Sequence, residues 1–214
     1  MNDAPQGVGA ALPRKEDERY MRGRGRYIAD IKPNGVRDVA FVRSPLAHAR
    51  IRGIRIPPDV RSRVFIAEDL DGVRAIRAVS ALPGFKVSEQ PILAIDKVRY
   101  VGEIVAVCVA ATRAEAEDLA AMVDVDYEEL PAMYDEIEAL DSVAIVHDEL
   151  KPAGTFPDLK HLAGRRDTNI AIDYHLTRGD APGAFDGAAH VFEHTFRTQQ
   201  TMHTPMEPMA TVAE

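Results

Sequence analysis

The stretch IVAVCVAATRAEAEDLAAMVDVDYEELP, residues 104–131, constrains the fold more than any other part of the chain. Ile104 to Ala110 is an unbroken apolar run rich in β-branched residues, the composition of a strand covered on both faces. Thr112-Arg113-Ala114-Glu115 then reads as a capping box, in which the threonine hydroxyl accepts from the Glu115 amide while the Glu115 carboxylate reaches back to the Thr112 amide. A helix begins there. Ala116, Leu119, Ala120 and Val123 recur at i, i+3, i+4 and i+7 and form one buried stripe, with Glu115, Glu117 and Asp118 in water near the positive helix start. Val123, Val125 and Tyr127 next alternate with Asp124, Asp126 and Glu128, the period of a half-buried strand that Pro131 ends. The expectation is a strand, helix, strand crossover, with Cys108 a small buried hydrophobe inside its first strand.

Three further strands are expected upstream, at about 36–42, 49–56 and 62–67. In ARIRGIRI, residues 49–56, Ile51, Ile54 and Ile56 are interleaved with Arg50, Arg52 and Arg55, which suits a strand with one wet face and a bulge at Gly53. Residues 1–19 are polar and without period and read as a flexible lead-in. Gly23-Arg24-Gly25 follows no apolar strand, so it reads as a turn before Tyr27 and Ile28 and not as a phosphate-binding loop. The segment KPAGTFPDLKHLAGRR, residues 151–166, has prolines, glycines and basic residues without a sustained apolar period and reads as a linker. Beyond it, alternation at about 168–178 and 189–214 predicts strands of a second, unfinished unit.

Composition excludes several classes. Lys and Arg total 26 against 34 Asp and Glu, a net charge of -8, and no basic run is interleaved with aromatics, so nucleic acid is not an expected partner. No secretory signal and no bilayer-spanning segment can be read, which makes the cytoplasm the expected location. A hydrophobic content of 46% over 214 residues is enough for a sizeable core. The one cysteine, Cys108, is too few for an internal disulfide, a thiolate zinc site or an iron–sulfur cluster.

Two constellations could carry chemistry. His190-Val191-Phe192-Glu193-His194 matches the H-x-x-E-H pattern of inverted zinc proteases, which needs a helix to bring both histidines to one metal. The alternation of Phe192 and Phe196 with Glu193, Thr195 and Arg197 has a strand period instead, and on a strand the two histidines would stand roughly 13 Å apart. The second constellation is His203 and Glu207 in MHTPMEPM, four apart with a proline between them, which local rules read as a turn joining two strands.

GRGRYIADI at 23–31, FVRSPLAHARI at 41–51, DKVRYVGEIVAVCVAATRAEAEDLAAMVDVDYEELPA at 96–132 and QTMHTPMEPMATVAE at 200–214 together resemble the molybdenum hydroxylases. These are the large, molybdenum-binding subunits of the xanthine dehydrogenase, aldehyde oxidase and aerobic carbon monoxide dehydrogenase family. Departures are small: Ile104 stands where the family often has proline, and Leu46 where an aromatic or histidine is frequent. The resemblance implies an α+β architecture, with an α/β hammerhead domain at 20–135, a linker at 136–167 and the first strands of the molybdopterin-binding domain at 168–214.

It implies an oxidoreductase that hydroxylates an aldehyde, purine or N-heterocycle, or oxidises CO, with water as the oxygen source. The molybdenum–molybdopterin cofactor is expected in its cytosine dinucleotide form, with 2Fe-2S clusters on an iron–sulfur subunit and FAD on a third subunit. His203 and Glu207 are implied as support near the pocket. The residues that hold the metal and act as base are expected in sequence outside this chain, so no catalytic, cofactor-binding or metal residue is assigned here and the chain alone is expected to be inactive and cofactor-free. A cofactor-free hammerhead scaffold is the alternative expectation, and a zinc hydrolase the third.

Overall fold

The computed structural model describes residues 7–77, 86–148, 151–152, 168–171, 176–205, 207 and 209–213. They fall into two compact units, one of residues 37–189 and one that joins 1–36 to 190–214. Among the described residues no helix is long and apolar enough to cross a membrane.

The larger unit is built on antiparallel pairs. Its strands are β1 (Asp38–Arg43), β2 (Ala49–Arg55), β3 (Val64–Ile66), β4 (Ile76–Arg77), β5 (Lys86–Val87), β6 (Glu89–Gln90), β7 (Lys97–Val98), β8 (Ile104–Ala110), β9 (Asp124–Glu129) and β10 (Lys151–Pro152). They form two three-stranded sheets, β1-β8-β3 and β7-β2-β9, and the two-stranded pairs β4-β6 and β5-β10. The apolar run of β8 takes the centre of its sheet, with Phe41 and Phe65 both opposite Val107 on either side. Its side chains serve two clusters. Ala106, Cys108 and Ala110 pack with Ala40, Val64, Ala116 and Leu119, whereas Val105 packs with Ala49, Ala94 and Val98. This is the two-faced burial that an unbroken apolar strand requires.

The helix of residues Arg113–Ala121 carries the expected stripe. Ala116 and Leu119 are buried and Ala120 and Val123 pack against the same cluster. Thr112 caps it by accepting from the Glu115 amide at 3.3 Å. The reciprocal arm of the capping box is not formed, and the nearby charge is used instead by Arg113, whose guanidinium pairs with Glu117 at 2.6 Å and donates to the Val39 carbonyl at 3.2 Å.

The crossover itself is corrected. β8 and β9 lie in different sheets and the helix bridges them, because β1 and β3 already occupy both edges of β8. β9 alternates apolar and acidic residues, and it pairs with β2, which alternates apolar and basic ones. Arg52 pairs with Glu128 and Arg55 with Asp124 across the two strands. Exposed pairs of this kind contribute about 0–1 kcal/mol each, so they select the partner and register more than they stabilise. The register slips between Ile51 and Gly53, which leaves Arg52 as the extra residue of the bulge. Ile51 and Ile54, three apart, therefore face the same cluster.

Within 136–167, a single helical turn at Glu138–Asp141 and strand β10 are present, and residues 153–167 lie outside the described part. Asn169 ties this region together: its side-chain oxygen accepts from the Val146 amide at 3.0 Å, and its amide donates to the carbonyls of Ala144 at 2.9 Å and Ala139 at 3.3 Å. A helix at Ala181–Asp186, capped by Asp180 on the Gly183 amide, was not anticipated by the strand pattern.

In the smaller unit a helical turn at Asp17–Met21 straddles the end of the lead-in expected at residue 19. It ends in Gly23 at φ +63°, a left-handed position that glycine adopts without strain. Gly25 lies under the Tyr20 ring, where a Cβ would come within 2.9 Å of the ring carbon. The Gly-Arg-Gly pattern is thus a helix stop and turn. The strands expected at 189–214 are a second correction: the described residues of 190–213 form neither strand nor helix, and all are exposed. Among the described residues no ladder partner is present for them, and alternation alone does not hold a strand. At 168–178 the described residues form no strand either, and 172–175 lie outside the described part.

Leu119→Ala is expected to cost about 2–5 kcal/mol by opening a cavity between the helix and β8, and Thr112→Ala about 1 kcal/mol by removing the cap hydroxyl. Chemical denaturation measures both. An unchanged midpoint for Leu119→Ala would contradict the assigned helix face.

Candidate functional site

In the larger unit, residues far apart in sequence interlock. The Ser44 amide donates to the Glu103 carbonyl at 2.9 Å, the Gly102 amide donates back to the Ser44 carbonyl at 2.8 Å, and Arg43 donates to the Gly102 carbonyl at 2.8 Å. Gly102 sits at φ +91°, so this turn needs glycine. The Ser44 hydroxyl accepts from the Leu46 amide at 3.0 Å. Glu103 is buried and its carboxylate accepts from the Arg99 amide. SPLAH and RYVGE are therefore held against each other by main-chain bonds.

This lock places a charged cluster. His48 is buried; its carbonyl accepts from the Leu130 amide at 2.9 Å, and its Nδ1 lies 2.7 Å from the Pro131 carbonyl. A carbonyl only accepts, so Nδ1 carries a proton, and Nε2 is the ring's remaining polar atom. Nε2 is buried without a partner among the described residues, as is the Nε of Arg99. Lys97 is 4% exposed and its ammonium pairs at 3.0 Å with Asp148, whose side chain is 71% exposed. Burial opposes ionisation of Asp148, but Lys97, Arg99 and Arg50 outweigh it and hold the carboxyl below the usual range. His147 is held below the usual histidine value by its burial first, then by the cations of Arg99 and Lys97. A cavity of about 360 Å³ opens beside the cluster, lined by His48, Arg50, Lys97, Leu130, Ile145 and Asp148 among others.

Sequence reading did not single out this constellation. Its one local trace is the pair of quoted motifs around His48 and Lys97; the distances that join them span about fifty residues and leave no spacing pattern.

In the smaller unit, His203 and Glu207 are both exposed. Glu207 accepts at 3.1 Å from the amide of Ile28, in the GRGRYIADI stretch, so two of the quoted motifs meet here. No hydrogen bond joins His203 to Glu207. The H-x-x-E-H residues 190–194 are exposed and not helical, and the zinc reading loses the helix that it requires. Among the described residues no group of three His, Cys, Asp or Glu side chains is placed to hold a metal ion. Every described residue from 176 to 213 is exposed.

His147 predicts a pH dependence. Its native form gives up the proton more readily than the unfolded chain, whose histidine titrates near 6.5, so protons favour the unfolded state. Stability is expected to be full above about 6.5 and to fall as pH drops through that value towards the lower native one. Unfolding curves for wild type and His147→Asn check this, and equal slopes in that window would contradict it.

Comparison with known proteins accounts for both units' motifs. Residues 22–131 match the model of the aldehyde oxidase and xanthine dehydrogenase a/b hammerhead domain, and residues 163–214 match that of the molybdopterin cofactor-binding domain. The nicotine 6-hydroxylase large subunit of Paenarthrobacter nicotinovorans is 32% identical over 97% of this chain and 24% of its own length. The carbon monoxide dehydrogenase large chain of Afipia carboxidovorans is 30% identical over 97% of this chain and 26% of its own. Among solved structures, quinoline 2-oxidoreductase from Pseudomonas putida 86 is 43% identical with a TM-score of 0.59, covering 64% of this chain and 18% of that one. The chain spans about a quarter of the length of these curated relatives. With a hammerhead match over more than half of its residues, the chain belongs to the aldehyde oxidase and xanthine dehydrogenase family.

Proposed function

We propose that this chain is the N-terminal part of the molybdenum-binding subunit of a hydroxylase that oxidises a small molecule with water as the oxygen source. The carrying observation is the order of two matches, a hammerhead domain followed by a molybdopterin cofactor-binding domain, along one chain. In this reading the hammerhead occupies 20–135, a connector 136–167 and the first part of the cofactor-binding region 168–214. N-heterocycles are the favoured substrate class, since the likeness includes nicotine 6-hydroxylase and quinoline 2-oxidoreductase; aldehydes, purines and CO follow from the wider family.

His203 and Glu207 act as support near the pocket, with Glu207 holding the main chain at Ile28. Groups that hold the cofactor and move the substrate's proton come from the remainder of the subunit. The cofactor is the cytosine dinucleotide form of molybdopterin, electrons leave through 2Fe-2S clusters and FAD on partner subunits, and the complex works in the cytoplasm. Support for partner subunits comes from a relative named as a subunit of the 6-hydroxypseudooxynicotine dehydrogenase complex.

Purification at native expression, followed by mass spectrometry of co-purifying chains and metal analysis, tests this. An iron–sulfur chain, a flavin chain and the rest of the molybdenum subunit should co-elute, with molybdenum in the complex and none in the isolated 214-residue chain. A stoichiometric molybdenum content in that isolated chain would contradict the assignment of cofactor residues. A lone chain with no partners would favour a cofactor-free hammerhead scaffold.

A further inference from the structure

We propose that the cavity beside His48 is a binding site for a small monocarboxylate with an apolar body, separate from the oxidoreductase reading above. Part of the cavity lining is cationic, with Arg50 opposite Lys97 across β2 and β7. Lys97 is buried with its ammonium bonded to one carboxylate oxygen of Asp148, which leaves two N–H donors, and Arg50 adds a guanidinium to the lining. Among the described residues Arg50 forms no ion pair, so two cations face one carboxylate there. The lining also includes the apolar side chains of Leu130, Pro131, Ala144 and Ile145. A volume of about 360 Å³ lies at the size of small-ligand sites, and a few directed polar groups over an apolar wall is their usual make-up.

The second observation is the deficit in the wall. His48 is more than nine-tenths buried, its Nδ1 proton is committed to the Pro131 carbonyl, and Nε2 has no partner among the described residues. A buried polar atom left without a partner is unfavourable. A carboxylate held by Lys97 and Arg50 would lie in the same cavity that the His48 ring lines. An anionic head satisfies the spare donors, an apolar body covers Leu130 and Ile145, and a dianion or a neutral amide does only part of this.

Benzoate is the probe, with benzamide as its neutral isostere and inorganic phosphate as an anion without an apolar body. Titration of the 214-residue chain, followed by two-dimensional NMR of the histidine rings and of the Leu130 and Ile145 methyls, is expected to show saturable shifts at His48, His147, Leu130 and Ile145 with benzoate. Benzamide should bind about tenfold more weakly, since it leaves the cationic lining without its anion. Arg50→Met, at an exposed position, should weaken benzoate several-fold with the spectrum otherwise unchanged, and Lys97→Met should abolish binding. Equal binding of benzoate and benzamide overturns the proposal, as does an absence of saturable shifts at these residues or stronger binding of phosphate. The readout involves no turnover, so its failure leaves the oxidoreductase reading untouched.

Discussion

Successive side chains of β8 point to opposite faces of its sheet, and each face meets a different cluster: Cys108 and its alternate neighbours lie under the helix, and Val105 lies over β2 and β7. Full burial of a valine-sized side chain contributes about 1.5–3 kcal/mol, and β8 draws on it from both directions. The strand is also paired with β1 along most of its length and with β3 at residues 106–108. Neither cluster can open without exposing the strand that closes the other. Two sheets that share no ladder thus melt as one body.

The polar layer rests on that frame. β8 begins directly after the turn at Gly102 and Glu103, and this turn holds Ser44, the residue after β1. Two strands paired in one sheet are thereby joined again at their ends. The same segments then carry His48 to the start of β2 and Lys97 into β7, where the cations of Lys97, Arg99 and Arg50 act on the carboxylate of Asp148. A cluster of this kind is costly unless its groups are paired, and the exposed carboxylate of Asp148 is the partner the chain itself provides.

How much of this was legible depends on range. The helix stripe of Ala116, Leu119, Ala120 and Val123 and the cap at Thr112 are local, and both stand in the structure. The bulge near Gly53 was local too. The assignment of β8 and β9 to one crossover failed because strand partnership is set by what lies beside β8, namely β1 and β3, one of which is more than sixty residues upstream. A clue was present in the basic alternation of β2 against the acidic alternation of β9, since opposite charges favour direct cross-strand neighbours. The strands expected at 189–214 had the period without a partner. For the site, His203 and Glu207 were marked by motif, while the His48 and Lys97 cluster arises only from tertiary contact.

The bulge at Arg52 changes how strand β2 has to be counted. Ahead of it, odd-numbered positions such as Ile51 face the core; past it, Ile54 does so at an even number. The strand is written in two frames, like a message with one inserted letter. Comparisons between relatives that slide β2 by a single residue would match arginines to isoleucines along half its length, so the bulge, and not the arginine count, is the landmark by which such strands should be aligned.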